Sequence, residues 1–597
     1  MKKNYSPTRV ILTLIFAALA YWAGNTASHQ IRTDVASGAN VNTVIGQSLD
    51  GFTNSPLSLS FHQTDILAGL IAVAIVGLIW AYNTVGIGTR RDGEEHGSAT
   101  WANPRDIRPF INRDYRSNLL FTKTEQLNLD SHKTHRNLNT LVIGGSGSGK
   151  SRYFVGPNLA QCNTSFVITD PKGELLASHG HRLAQAGYQL RTFNLVDFAN
   201  SDTFNPFYYF NPDQAEVSCA ILVENFMANT SGTESARSAS GDFFVKAERA
   251  LLTALVAYVY FTRGRSGTLI DVVDLLARMQ AFEKDDDAKS EIDQLFNKVE
   301  ALITQYDTDT ERNKWGSEAV ATLQGLRFAA SQYRTYTQGA GETKKSVIIS
   351  LGVRMAPLHM APIRNLLSSD TMRLDEVGDT PTALFIITPD THAAFTFLVS
   401  MFYEQLFETN LYKADHLPGG RLPIQVQCFM DEFANIGKMP SFERKIAVMR
   451  SRGISTAIII QNFAQGKALY RDDWETIVGN CDSLLFLGGN EKTTTEYVSK
   501  MLGQQTISAT DTSESRGRSG SWTTQHRTLA RDLLSPDEIG RIPTEKCIYF
   551  LRGLPAFYST KLGPAPEVET YIYDPEAEID AILGAEPFEY YPNTNSQ

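Results

Sequence analysis

Cysteine is scarce in this sequence and has no pattern. Cys162, Cys219, Cys428, Cys481 and Cys547 are scattered along 597 residues, with no C-x-x-C pair and no neighbouring histidine pair. That spacing argues against a zinc site. Cys428, Cys481 and Cys547 sit among apolar residues, as buried thiols of a reducing compartment do. A basic excess is also missing, since 55 Lys and Arg against 65 Asp and Glu leave a formal net charge of −10. A chain coated in nucleic-acid-binding lysines is thereby excluded, and any DNA contact has to come from a local basic surface. No L-S-G-G-Q signature follows the glycine-rich loop described below, which argues against an ABC-type transporter. What remains is globular in composition, 42% hydrophobic and 20% charged, and too long for one ordinary core.

Long apolar runs are confined to the beginning of the chain. Lys2, Lys3 and Arg9 introduce Val10 to Ala23, which is almost wholly apolar, and Ile66 to Val85 is a second run of about twenty residues with no charge. Trp80 and Tyr82 suit a membrane interface. Arg90 and Arg91 follow the second run, whereas Arg32 is the one basic residue between the two. This asymmetry predicts transmembrane spans at about 9–24 and 66–85, both ends in the cytoplasm and an external loop between them. A cleaved signal peptide is the alternative reading of the first run.

The centre of the sequence is Leu141-Val142-Ile143 followed by Gly144, Gly145, Ser146, Gly147, Ser148, Gly149, Lys150 and Ser151, which fits G-x-x-x-x-G-K-[ST] without a mismatch. Glycine recurs where backbone N–H groups must approach a phosphate closely. Lys150 supplies a point charge for the β/γ-phosphates of ATP, and the Ser151 hydroxyl can ligate Mg²⁺. The following helix points its N-terminal dipole at the same phosphates.

The β-branched run Phe166 to Thr169 ends in Asp170-Pro171-Lys172-Gly173-Glu174, predicting a strand next to the P-loop strand with Asp170, Lys172 and Glu174 near the nucleotide. The bland alternative is that Asp-Pro-Lys-Gly is a good turn. Residues 211–343 read as a helical insertion, with the Glu283 to Asp287 run as a solvated loop. Further strands are expected at Ala383 to Thr388, Ile424 to Met430, Thr456 to Ile460 and Leu484 to Leu487, giving a doubly wound, mostly parallel sheet. Ser508 to Arg527, rich in Ser, Thr, Gly and Arg, reads as a mobile loop, and the acidic tail from Glu567 as a flexible end rather than a docking segment.

Domain boundaries follow: 1–90 membrane region, 91–210 first part of the nucleotide domain, 211–343 all-α insertion, 344–565 second part, 566–597 acidic tail. The strand Ile424 to Met430 ends in Asp431-Glu432, which places Asp431 to hold the Mg²⁺ shell and Glu432 to polarise the attacking water. In ring-shaped ATPases an arginine from one subunit reaches the γ-phosphate held by its neighbour. Arg450 is the candidate, Arg452 the reserve, and the surrounding Arg444 and Lys445 read as surface charges. Gln461, at the end of the next strand, suits a reader of the γ-phosphate or of the water; a buried amide that satisfies strand ends is the alternative.

Two N-terminal spans, Gly-Gly-Ser-Gly-Ser-Gly-Lys-Ser, the strand end Thr169 to Glu174, Asp242-Phe243-Phe244, Met430-Asp431-Glu432-Phe433 and Arg531-Asp532-Leu533-Leu534 together resemble the type IV secretion coupling proteins, the membrane-anchored ATPases of bacterial conjugation. The resemblance runs from about residue 1 to Pro564. It implies a RecA-like P-loop NTPase with an inserted all-α domain that faces cytoplasmic partners, a homo-hexameric ring, and ATP-driven delivery of a relaxase on single-stranded DNA to the type IV secretion channel. It also implies a multi-pass protein of the cell membrane with its ATPase domain in the cytoplasm. Lys150, Ser151, Asp431 and Glu432 match the family's Walker motifs; Arg450 and Gln461 match less distinctively, and Ser508 to Arg527 falls outside the pattern. Two other readings stay open, a double-strand DNA translocase of the same fold and a receptor or scaffold whose nucleotide governs only assembly.

Overall fold

Alternation within short apolar runs builds the centre of the molecule. In Leu141-Val142-Ile143 and Ile458-Ile459-Ile460 successive side chains turn to opposite faces, so that Leu141, Ile143, Ile458 and Ile460 join one hydrophobic core while Val142 and Ile459 join another. A strand buried on both faces has to be covered by helices on both, which is the doubly wound arrangement. In the structure, a computed structural model, residues 7–38, 59–85, 93–230, 239–280, 289–309, 315–339, 341–389, 391–515, 521–565 and 571–574 are described. Lys2, Lys3, Arg90 and Arg91, most of the expected external loop, the Glu283 to Asp287 run and the end of the tail lie outside the described residues.

The strands, in chain order, are β1 (Asn118–Leu120), β2 (Gln126–Asn128), β3 (Thr140–Ile143), β4 (Ser165–Asp170), β5 (Gln189–Asn194), β6 (Thr382–Ile387), β7 (Val426–Met430), β8 (Ile454–Ile460), β9 (Ser483–Phe486), β10 (Gln504–Ser515), β11 (Ser521–Asp532), β12 (Lys546–Leu551) and β13 (Phe557–Thr560). The chain falls into two compact units, Met1–Ser98 with Thr506–Ala530, and Ala99–Gln505 with Arg531–Gln597. The second unit holds a nine-stranded sheet of order β13-β12-β9-β3-β8-β7-β4-β6-β5. From β9 to β5 neighbouring strands run parallel, and β12 and β13 close one edge antiparallel. This is a RecA-like α/β fold. It differs from the expectation in one respect that matters: β8 and β9, not β4 or β7, are the neighbours of β3, so the strand ending at Asp170 lies three positions from the P-loop strand.

Between β5 and β6 the described chain is helical, from Ala215–Thr230 through Ala239–Arg263, Leu269–Ala277, Glu291–Thr308 and Ser317–Thr337 to Gly341–Met355 and Ala361–Leu366. Helices therefore continue past residue 343, and β6 begins only at Thr382. The buried residues of these helices belong to the same core as one face of the sheet. Thr268 and Ser290 each cap their helix in a reciprocal box with Asp271 and Asp293, which explains where these helices start. Lys445, expected at the surface, is buried between Glu404 and Glu408 of the helix Thr396–His416.

The helix that follows the P-loop packs at Gly156 against His179, whose ring nitrogen would lie 2.9 Å from a Cβ at that glycine. His179 is 6% exposed, and burial, with a smaller contribution from the Arg182 charge, pushes its pKa down to about 4. Folding thus keeps the ring neutral while the unfolded chain binds a proton below about 6.5, so stability is full above that pH and falls as pH drops towards 4, by about 3 kcal/mol in all. His179→Leu is expected to flatten this acid limb, measured as melting temperature against pH.

In the first unit the helices Pro7–Ala36 and Gln63–Val85 pack closely, since a Cβ on Gly24 would meet the Ala68 carbonyl at 2.9 Å. Among the described residues one stretch, Gln63–Trp80, is long and apolar enough to cross a membrane. The first helix runs on to Ala36, beyond the expected 9–24, so Arg32 is helical rather than part of a loop. It pairs at 3.0 Å with Asp65, which also accepts from Ser28 and Ser60. Of Ser508 to Arg527, expected as a loop, residues 508–515 lie in β10 and 521–527 in β11, which pair as a two-stranded sheet, and 516–520 lie outside the described residues. Its recurring Thr residues are β-branched strand formers that composition alone made look like loop.

The expected flexible tail is docked at Tyr571–Asp574: Tyr571 N donates to the Ala177 carbonyl at 2.8 Å and Tyr573 is buried with its hydroxyl on Asp202.

Candidate functional site

The parallel sheet brings the motif residues to one edge. β3 pairs with β8 so that Ile143 stands opposite Ile460, and each strand then delivers its next residue, Gly144 and Gln461, to the carboxyl side. β7 ends at Met430 and delivers Asp431 and Glu432 there, and β4 pairs with β7 at Thr169 and Met430, so Asp170 lies level with Asp431. Ligands of open α/β sheets bind at this edge.

The loop itself is held by its neighbours. Gly144 N donates to the Ile460 carbonyl at 3.1 Å and Gly145 N to the Gly488 carbonyl at 2.9 Å. Gly147 and Gly149 have φ of 74° and 84°, and a Cβ on Gly149 would sit 2.2 Å from the Tyr153 ring, so glycine is required at the latter for both reasons. The Ser148 hydroxyl is buried without a hydrogen-bond partner. Ser151 opens the following helix in a π-turn, Ser151–Val155. Its hydroxyl donates to Asp431 Oδ2 at 2.6 Å.

Five of the expected residues converge. Lys150 Nζ donates to the Gly144 carbonyl at 3.1 Å and lies 3.5 Å from Glu432 Oε1. Gln461 Nε2 donates to both oxygens of Glu432, at 3.2 and 3.0 Å, and so holds that carboxylate in place. Glu432 has φ of 48°, a left-handed conformation that a non-glycine residue keeps only where the surroundings impose it, and such strain concentrates at functional sites. Burial pushes the Asp431 carboxyl up from its ordinary value, opposed by the Ser151 hydroxyl and the Lys150 charge. Burial likewise raises Asp170 to about 6, against backbone N–H donors including Leu176 at 2.9 Å, with the Asp431 charge adding to the rise. A pair of buried carboxylates next to a lysine and a serine hydroxyl is a site built for a cation and a polyanion together.

Lys172 and Glu174 have exposed side chains, and the Lys172 backbone N–H donates to Asp170. Arg450 lies outside the cluster: its Nη2 donates to the Ser131 carbonyl at 2.8 Å, at the edge where β3 and β8 begin, the length of β8 or roughly 20 Å from its own P-loop. Arg452 is paired with Asp415 at 2.8 Å.

A lysine without any sequence signal also reaches the P-loop. Lys561, just beyond β13, is 4% exposed and donates to the Ser148 carbonyl at 2.9 Å, with its ammonium 5.7 Å from the centre of the Tyr153 ring. Burial holds its pKa below the ordinary lysine value. It fixes one carbonyl of the P-loop outward, which leaves N–H groups for an anion. Lys561→Met is expected to raise KM for ATP about tenfold with a smaller change in kcat, the cost of one charged hydrogen bond, read by steady-state kinetics.

Residues 107–563 match a family described as type IV secretory system conjugative DNA transfer, and this stretch contains the whole site. The chain belongs to that family. This conjugative DNA-transfer protein is 23% identical over 575 residues to the conjugal transfer protein TraG of Escherichia coli, covering 87% of this chain and 82% of that one. It is 21% identical over 518 residues to the protein VirD4 of Rhizobium radiobacter, covering 84% of this chain and 68% of the other. Its fold matches the plasmid coupling protein TrwB in complex with the non-hydrolysable ATP analogue ADPNP, with a TM-score of 0.54 and 14% identity, over 80% of this chain and 96% of TrwB. TrwB has also been solved with ADP and Mg²⁺. The likeness to TrwB is one of fold, the mostly parallel RecA-like sheet.

Proposed function

We propose that this protein is a membrane-anchored ATPase that couples a relaxase on single-stranded DNA to a type IV secretion channel and drives conjugative transfer. The observation that carries the reading is the convergence of Ser151 on Asp431 and of Lys150 and Gln461 on Glu432 at one strand edge. The orphaned Ser148 hydroxyl, the left-handed glycines and the hard oxygen donors Ser151 and Asp431 fit Mg²⁺ and ATP. When bound, Mg²⁺·ATP supplies the phosphoanhydride whose hydrolysis releases the energy for transport.

In this reading the loop Gly144 to Gly149 cradles the phosphates, Lys150 offsets their charge, Ser151 and Asp431 hold the Mg²⁺ shell, and Glu432, oriented by Gln461, accepts the proton of the attacking water. Arg450 serves the γ-phosphate of the next subunit in a homo-hexamer, which agrees with its distance from its own P-loop. The close packing at Gly24 and Gly69 supports both N-terminal helices crossing the cell membrane together, with the ATPase in the cytoplasm. The helical insertion, 211–343, faces cytoplasmic partners. Purified full-length protein should hydrolyse ATP faster with single-stranded DNA and restore transfer to a strain lacking its own coupling protein. A Lys150→Ala chain that turns over no ATP yet still supports transfer would overturn the motor in favour of a scaffold.

A further inference from the structure

A second cleft opens at the same edge of the sheet. It has a volume of about 210 Å³ and is formed where β5 and β6 end, between Leu195, Thr388, residues 391–396 and Asn435. Among the described residues its lining carries no lysine, arginine or carboxylate, and His392 is its one ionisable side chain. Rings, hydroxyls and an amide around so small a space suit a planar group with hydrogen-bonding edges. Two of its lining residues carry rings, His392 and Phe395, 5.6 Å apart and edge to face, and Phe395 is backed by Phe198 at 5.7 Å. Thr388, Thr391, Thr396 and Asn435 add polar atoms around them.

We infer that this cleft takes one unstacked base of the single-stranded DNA, held against His392 and Phe395, and reports its arrival to Glu432. The inference rests on the transfer reading above and names the part of the DNA that the motor feels. Size supports a base rather than a whole nucleotide, since the cleft is smaller than the roughly 300–1,000 Å³ sites that enclose larger ligands. Position excludes the adenine of ATP held by the same chain's P-loop, because β6 lies four strands from β3, roughly 19 Å away. Aromatic faces bind bases of any sequence, which a transport motor requires.

The route to the catalytic site is short. Asn435 lines the cleft, and its backbone N donates at 2.7 Å to the carbonyl of Glu432, across the single turn Phe433–Asn435. Glu432 is the residue at φ 48°, so a group that seats against Asn435 acts on a turn whose first residue is already conformationally constrained. A base in the cleft therefore favours one setting of the Glu432 carboxylate, and DNA occupancy becomes catalytic readiness.

The test uses full-length protein in detergent or nanodiscs with fluorescent oligo-thymidine, an abasic oligomer of equal length, and a duplex. Wild type is expected to bind oligo-thymidine about tenfold tighter than the abasic oligomer, and only the former should stimulate ATP turnover strongly. His392→Ala and the cleft-filling Thr391→Trp should bring the binding ratio close to one, whereas His392→Phe, which keeps a ring, should retain it. Equal binding and stimulation by the abasic oligomer, or a ratio unaltered in both His392→Ala and Thr391→Trp, overturns the inference. Loss of the oligo-thymidine advantage in excess adenosine reassigns the cleft to a free nucleoside and overturns it too. A wild-type chain without any ATP turnover overturns the motor reading instead, and the binding ratio still decides the cleft.

Discussion

Glu432→Gln is expected to lower kcat for ATP hydrolysis by about 10²–10⁴-fold, the contribution of a positioned general base, while KM changes little. The substitution keeps the size of the side chain and an oxygen for Lys150, 3.5 Å away, so the P-loop should hold nucleotide as before. What it removes is the basic oxygen. Gln461 now donates to both oxygens of Glu432, and an amide at that position leaves one of those bonds facing another N–H donor. The effect should appear in single-turnover chemistry rather than in nucleotide binding, and DNA transfer should fall with it. Retained turnover would remove Glu432 from the role of base and leave Asp431, already engaged by Ser151, as the one acid nearby with a strongly perturbed environment besides Asp170.

Lys445→Met is expected to destabilise the nucleotide domain by about 3–5 kcal/mol, the usual cost of breaking a buried ion pair from one side. Lys445 lies between Glu404, whose side chain is 2% exposed, and Glu408, 2.8 Å away. Burial raises the pKa of Glu404 even with the lysine present, and the Lys445 charge opposes that rise. Without the lysine the native state favours the protonated acid still more. Its penalty is therefore absent below about pH 4.5 and grows as pH rises above that, so the loss should be larger at alkaline than at acid pH. Urea unfolding of wild type and variant across that range reads the effect. Adding Glu404→Leu should recover most of the loss, since two apolar side chains replace an uncompensated charge.

Both variants lie in the segment between β7 and β8, yet only one of the two residues was readable from its neighbours. Glu432 announces itself because it ends an apolar β-branched run beside Asp431 in a chain that already holds a P-loop. Lys445 sits among Arg444, Arg450 and Arg452 in a helix whose charges read as solvated, and its burial depends on Glu404, 41 residues earlier in another helix. Gln461 lies between these cases: its strand was legible, whereas its partner, the Glu432 carboxylate, is set beside it only by the β7–β8 pairing. Ser508 to Arg527 failed for a different reason, since Thr serves loops and solvated ribbons alike, and none of the described side chains of this stretch is buried.

By itself the order of residues determined the P-loop, the acidic end of β7, four further strands with the runs that became them, and the apolar N-terminal segments. Each of these is a local pattern, a period or a spacing that the backbone reads within a few residues. The tertiary structure alone decided that β8 separates β3 from β7, that Asp170 stands level with Asp431, that Lys561 braces the carbonyl of Ser148, and that Arg450 lies at the far edge of the sheet. Strand order and cross-chain contacts come from burying both faces of one sheet under helices of fixed length, and many sequences of strands would satisfy the same local periods.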